Sequence, residues 1–333
     1  MSEQNFKLLC MGNPLLDIQV QGDDSLLKKY GLDPNGAILA EEKHKPLYEE
    51  LLKYKPVYVA GGAAQNSARG AQYLLPPKTT AYFGCVGDDQ FAEEMRNAAT
   101  NEGLTVDYLV NKDYPTGTCG VIITANLSAA ERYNESDHLN LPQKWNIVEN
   151  AECYYISGFF LAVSPSSILK IANHAAENNK ATTYICQAFK KPMSEVAPYW
   201  DIIIGNETEA EAFATSEGWE TKDLKEIAIK MAQLPKVNTK RQRVAIITHG
   251  AKSTIVGYQD GTIKEYPIIP IEDKEIEDTN GAGDAFVGGF LSQYVQGKSI
   301  DECINAGHWL ANINIKLVGP AFPKEKIPYP GLV

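Results

Sequence analysis

Short apolar runs alternate with helical segments through the second half of the chain, and that alternation constrains the fold more than any other feature. Ala151–Leu161 reads as a strand ending in aromatic residues, Ser166–Asn178 as a helix and Trp200–Gly205 as a buried strand. A further helix opens at Asn206 and continues to about Ser216, another spans Lys222–Gln233, and Arg243–Thr248 is a strand that stops at His249-Gly250. Each helix in such a series returns the chain to the start of the next strand, so neighbouring strands run parallel. The expected fold is therefore α/β, with a mostly parallel central sheet covered by helices on both faces. Lys7–Gly12 supplies an early strand, and Ile18-Gln19-Val20 alternates like a second.

Charge narrows the partners. The 333 residues carry 31 Lys and Arg against 42 Asp and Glu, a net charge of -11, which argues against nucleic acid or an anionic membrane surface as partner. A polyanionic ligand must then find local positive potential or arrive with a divalent cation. The six cysteines are widely spaced, with no Cys-x-x-Cys pair, and read as reduced thiols. With no run of 18 apolar residues and no basic-then-apolar leader pattern, a cytoplasmic or nuclear setting is expected.

Glu277–Phe290 is the most informative stretch for chemistry. Asp278-Thr279-Asn280-Gly281-Ala282-Gly283-Asp284 forms a turn of small residues that leads into an apolar helix. Backbone N–H groups at a helix start lack intrahelical partners and carry partial positive charge, so the turn is an anion site made without basic side chains. Gly281 and Gly283 let the backbone approach a ligand closely. Asp284 would repel a bound phosphate, but it is well placed to take the proton from a hydroxyl that attacks phosphorus.

A second glycine turn precedes another helix of small residues, at Ala60-Gly61-Gly62-Ala63-Ala64-Gln65-Asn66. It again offers backbone donors, with Asn66 one turn in to reach a hydroxyl; the small residues also suit close packing. Asn13 to Asp17 follows the first strand, where open α/β sheets bind ligands, and Asp17 could accept from a vicinal diol. Phe159 or Phe160 could stack on a purine or simply fill the core. Asn206 and Glu209 lie one turn apart at a helix start, a pair able to hold magnesium through its waters or merely to cap the helix. Thr248 and Gly250 end a strand where nucleotide phosphates could sit.

Together these strings resemble the ribokinase (PfkB) family of sugar and nucleoside kinases. Asp278–Asp284, followed by Ala285-Phe286, Gly288-Gly289 and Phe290, is similar to its second signature; Ala60–Ala71 with Thr80–Phe91 is similar to its first. Adding Gly12–Asp17, Ile38-Leu39-Ala40-Glu41, Gly158–Pro165 and Gly205–Ala210, the resemblance covers nearly the whole chain and points to the branch that acts on adenosine. It implies one ribokinase-like domain over residues 1–333, with a small β lid drawn from about 14–40 and 105–128. It implies transfer of the ATP γ-phosphoryl group to the 5′-hydroxyl of adenosine. Asp17, Gly62 and Asn66 would hold the ribose, Leu15, Leu39, Leu127 and Phe159 the adenine, and Asn13 and Gly61 would also bind the substrate. Asp284 would be the base, and Gly281, Ala282 and Gly283 would stabilise the transferring group. Asn280, His308, Thr248 and Gly250 would face ATP, and Asn206 and Glu209 would hold Mg²⁺ through water. A monomer is expected.

The chain departs from the family in two places. A segment of the type Gly-x-Asn-Arg-Ser-Leu, which carries a phosphate-facing arginine, is missing where Thr124 runs into Ala125. After Lys180, Tyr184-Ile185-Cys186-Gln187-Ala188-Phe189 stands where the family reads Asn-Leu-Ser-Ala-Pro-Phe. A positioned arginine on a transferring phosphoryl group is worth about 10³–10⁵ in rate, so a nucleoside-binding homologue with impaired turnover is one alternative, and another nucleoside or sugar kinase of the same family is the other. Arg69 and Arg132 are the candidate replacements for its charge.

Overall fold

A computed structural model of the chain describes residues 6–20, 28–31, 38–39, 45–54, 56–120, 123–124, 129–134, 137–185 and 190–332. Its first eight strands are β1 (Leu8–Met11), β2 (Leu15–Gln19), β3 (Ile38–Leu39), β4 (Val57–Gly61), β5 (Thr80–Gly87), β6 (Thr105–Asn111), β7 (Thr118–Gly120) and β8 (Ile123–Thr124). Six follow: β9 (Cys153–Ile156), β10 (Ala181–Ile185), β11 (Ile202–Asn206), β12 (Val244–Thr248), β13 (Thr254–Tyr258) and β14 (Ile263–Tyr266).

Among the described residues these strands form two sheets. The larger has nine strands in the order β14-β13-β12-β11-β10-β9-β1-β5-β6. It is parallel from β12 to β6 and ends in an antiparallel hairpin pair, β13 and β14. The expected α/β architecture is present, and its apolar runs show why. Along β1 the side chains alternate between faces: Leu8 and Cys10 join one core cluster, Leu9 and Met11 the other. A strand buried on both faces has no polar side, so it appears in sequence as a continuous apolar run.

The chain leaves β1 for β2 and returns later to β5 and β9 on either side of β1. Strand order therefore reverses at β1, which opens a crevice at the carboxyl ends of the strands. The smaller sheet, in the order β3-β8-β7-β2-β4, lies next in sequence to that crevice: β2 starts just after β1, and β4 ends in the Gly61-Gly62 turn.

Two strands sit differently from the lid expectation. Thr105–Asn111 pairs in parallel with β5 and forms the edge of the large sheet. Val57–Gly61 takes its place in the small sheet, antiparallel to β2. Along β6 buried Val106 and Tyr108 alternate with half-buried Thr105, Asp107 and Leu109, the same period-2 pattern that a lid strand would show.

The helix Ala63–Leu74 packs against the helix Ala282–Tyr294, which in turn packs on Ile300–Ile315. Small residues permit the approach. A Cβ on Gly288 would lie 2.8 Å from the Gly70 Cα and from the Ser67 carbonyl oxygen, and one on Gly307 would lie 2.8 Å from the Phe286 ring. The two glycine-rich signatures therefore meet backbone to backbone, and their helix starts face the same crevice.

Candidate active site

Asp284 stands in the first turn of the Ala282–Tyr294 helix. Its Oδ2 accepts a 2.9 Å hydrogen bond from Asn66 Nδ2, across 218 residues of sequence. Burial pushes the Asp284 carboxyl up to about 7; the Asn66 bond opposes this, while the charges of Asp17 and Glu209 add to it. Asp17 is likewise pushed up, to about 6, by burial, with Arg69 and a Cys119 hydrogen bond pulling the other way. Burial raises Glu209 as well. Three carboxyl groups that resist ionisation thus surround one crevice, which suits proton acceptance near neutral pH and a cation close by.

The turn before Asp284 is built for exposure of its backbone. Gly281 has φ 82° and caps the helix without a side-chain bond. A Cβ there would meet Pro320 Cβ at 2.8 Å, so the left-handed turn is seated on residue 320. Asp278 holds the turn from both sides: Oδ1 accepts from the Asn280 N–H at 2.8 Å and Oδ2 from the Gly319 N–H at 3.0 Å. The Glu277 N–H donates to the Ile315 carbonyl at 2.9 Å. At Gly283, by contrast, an added Cβ would meet nothing within 4 Å.

Two cavities meet at this turn. One is lined by Ser157, Phe159, Asn206, Glu209, Gly283 and Asp284, among others. The other, about 350 Å³, is largely apolar and is lined by Gly250, Ile268, Ile271, Ile276, Ala282, His308 and Ile315, among others. Thr248, Gly283 and Phe286 line both. The arrangement offers two ligand seats joined at a helix start suited to an anion, with the Asp284 carboxylate on the side of the first.

The expected residues divide accordingly. Phe159 lines the first cavity and is 53% exposed, whereas Phe160 is core, edge-on to Tyr133. Asn13, Asp17, Gly61 and Gly62 form one corner: a Cβ on Gly61 would overlap the Asp17 carboxylate, and one on Gly62 (φ 92°) would overlap the Asn13 carbonyl. Asn13 Oδ1 is buried without a hydrogen-bond partner among the described residues. Leu15 opens β2 opposite Gly61. Leu39 lies in β3, but its side chain is outside what is described, and Leu127 lies outside the described residues. So do most of the residues at the two departures, 125–128 and 186–189.

Asn206 and Glu209 form a reciprocal capping box, with the Asn206 side chain accepting from the Glu209 N–H at 2.8 Å and Glu209 Oε2 from the Asn206 N–H at 2.9 Å. The capping reading is thus realised, and both residues also line the first cavity. No group of three His, Cys, Asp or Glu converges as metal ligands among the described residues. His308 lines the second cavity with its Nε2 2.8 Å from Thr254 Oγ1; burial lowers it to about 4, so it is neutral. Asn280 is exposed in the turn and lines neither cavity. The Arg132 guanidinium lies 4.3 Å from the Tyr114 ring centre, and Arg69 is 2% exposed beneath Asn66.

Sequence reasoning missed the wall of the second cavity. Ile268, Ile269 and Ile271 flank Pro270 between β14 and the signature turn, so they fit no strand pattern. Pockets are lined mostly by apolar side chains, so three isoleucines in the four positions 268–271, outside any regular element, are the signal that could have pointed to this wall.

A ribokinase-like sheet, a switch-point crevice and a Gly-Ala-Gly-Asp helix start define a class of phosphotransferase. The pfkB family of carbohydrate kinases matches residues 25–327, and the chain belongs to that family. Within it, adenosine kinase 2 of Arabidopsis thaliana is 48% identical across 96% of each chain. The structure of Anopheles gambiae adenosine kinase in complex with P1,P4-di(adenosine-5) tetraphosphate superposes with a TM-score of 0.84 at 40% identity, covering 96% of this chain and 99% of that one. Apo adenosine kinase of Trypanosoma brucei brucei gives a TM-score of 0.89 at 31% identity over 94% and 99%. No helix among the described residues is long and apolar enough to cross a membrane.

Proposed function

We propose that this kinase transfers the γ-phosphoryl group of ATP to the 5′-hydroxyl of adenosine, giving AMP and ADP. The observation that carries the reading is Asp284, bonded to Asn66 and lining the first cavity directly after Gly283, which lines both. Adenosine would occupy the first cavity, with its base beside Phe159 and its ribose toward Asn66 and Asp17. ATP would place its base in the apolar second cavity and its phosphates toward Thr248, Gly250 and Gly283.

Each group then has a physical task. Asp284, at about 7 in the free protein, takes the proton as the 5′-oxygen attacks. The Ala282 N–H closes the turn on the Thr279 carbonyl, so the next backbone N–H groups, those of Gly283 and Asp284, would face the charge that spreads over the transferring group, and the open space at Gly283 admits it. Asn206 and Glu209 would hold Mg²⁺ through its waters, which neutralises phosphate charge when bound; the mutual charge of Asp17, Glu209 and Asp284 suits a cation. In this reading the chain works as a monomer in the cytoplasm.

The test is coupled ATP turnover with adenosine and magnesium, run beside equilibrium adenosine binding on the same preparation. The expected result is adenosine-dependent ADP release with tight nucleoside binding. Binding without turnover would reduce the chain to a nucleoside binder, and the absence of both would remove adenosine as ligand.

A further inference from the structure

Arg69 is a buried cation whose contacts cross the whole site. Nε and Nη2 donate to the two carboxylate oxygens of Glu102 at 2.6 and 2.7 Å, a bidentate pair. Nη1 donates to the Ala60 carbonyl at 3.0 Å, to Asn66 Oδ1 at 3.1 Å and to the Pro320 carbonyl at 3.0 Å. These partners belong to a strand end, a helix, a second helix end and the segment after residue 315.

Two of those bonds reach the reacting centre. Asn66 can offer its Nδ2 to Asp284 only when Oδ1 points the other way, and Arg69 fixes Oδ1. Pro320 is the residue on which the Gly281 turn rests, and its neighbour Gly319 donates to Asp278 within that turn. One planar fork therefore ties the partner of the base to the seat of the anion turn.

We propose that Arg69, held by Glu102, is a positioning residue for phosphoryl transfer: it orients the Asn66 amide toward Asp284 and anchors Pro320 beneath the Gly281 turn. The inference rests on the kinase reading above. Lys cannot reproduce the role, because its ammonium is a point donor and cannot serve Glu102 bidentately together with three carbonyl-type acceptors. The other charged or titratable groups around Asp284 are Asp17 from β2, Glu209 from the Asn206 helix and the Tyr155 hydroxyl from β9, itself 3.2 Å from Ser67 Oγ.

The experiment is a double-mutant cycle on the full chain: Arg69→Lys, Asn66→Ala and the pair, with Glu102→Gln as a milder variant should Arg69→Lys fold poorly. Arg69→Lys is expected to lower kcat about 10- to 100-fold, with a smaller change in adenosine KM. In the Asn66→Ala background the same change should cost markedly less, because its main target is gone. Glu102→Gln should give a reduced version of the same pattern. Equal losses in both backgrounds, or a loss that follows melting temperature alone, would overturn the proposal and leave Arg69 a structural residue.

A second readout separates this inference from the reading it rests on. The Asn66 side-chain amide N–H signals should be protected from exchange in the parent and lose protection in Arg69→Lys. If the parent has no turnover while those signals respond as expected, the kinase reading fails and the Arg69–Asn66 coupling stands. If the signals do not respond, the coupling fails whatever the activity.

Discussion

The two glycine turns look alike in sequence and do opposite work. Gly62 and Gly281 each cap a helix with positive φ, 92° and 82°, and neither helix start has a side-chain cap. Around the first turn the space is filled: any side chain at Gly61 or Gly62 would run into Asp17 or the Asn13 backbone. Around the second, only the foot is filled, by Pro320, while Gly283 faces open space beside Asp284. Glycine is needed at the first turn so that protein can close on protein, whereas at Gly283 the space stays open and, in the proposed function, admits a ligand. The same residue type in the same motif marks packing in one case and, in the proposed function, chemistry in the other.

Substitutions should separate the two roles. The largest effect is expected from Asp284→Asn, which keeps the shape and removes the proposed base. Phosphoryl transfer should fall about 10²–10⁴-fold while adenosine affinity changes little, as measured by initial rates and equilibrium titration. The same variant reports on pH. The Asp284 carboxyl is pushed up by burial from its usual 3.8 to about 7, so its ionised form costs native stability. That cost accumulates as pH rises from about 4 to about 7. The neutral amide that replaces the carboxyl carries no such cost, so Asp284→Asn should gain on the parent over that interval, by on the order of 4 kcal/mol, and hold the gain above it. Denaturant midpoints across pH would show it. In the parent, kcat/KM should fall as pH drops below about 7, because the base is then protonated.

Gly62→Ala comes next. With φ at 92° and the Asn13 carbonyl in the way, it should lose about 2–4 kcal/mol of stability, read as a lower denaturation midpoint. Gly283→Ala should do the reverse. Its Cβ meets nothing in the folded chain and alanine favours the helix, so stability should stay within about 1 kcal/mol of the parent or rise. Turnover should nevertheless fall about 10-fold, because the methyl group enters the space kept for the transferring group. If Gly283→Ala lost stability and Gly62→Ala lost only activity, the comparison would be inverted and the assignment of the two turns wrong.

How much of this the sequence displays depends on distance along the chain. The central strands are legible because a strand buried on both faces, such as Leu8–Met11, can only be an apolar run. The Asp278–Asp284 turn is legible because its chemistry is local. The sheet to which β6 belongs is not, because half-burial gives the same alternation on either sheet. The Arg69 network is out of reach, since its partners are at positions 60, 66, 102 and 320 and no local pattern links them. Arg132 shows the converse: a candidate by charge alone, it is placed over the Tyr114 ring and lines neither cavity.

The bonds from Glu277 to Ile315, Asp278 to Gly319 and Arg69 to Pro320 set an order of events during synthesis. The first signature and the early strands leave the ribosome long before the residues that seat the anion turn. A nascent chain halted anywhere between Asp284 and Pro320 carries the base and the whole of the sheet, but not the foot on which the turn rests. Activity should therefore arise late and abruptly in translation, and a half-made chain would neither consume ATP nor draw down nucleoside.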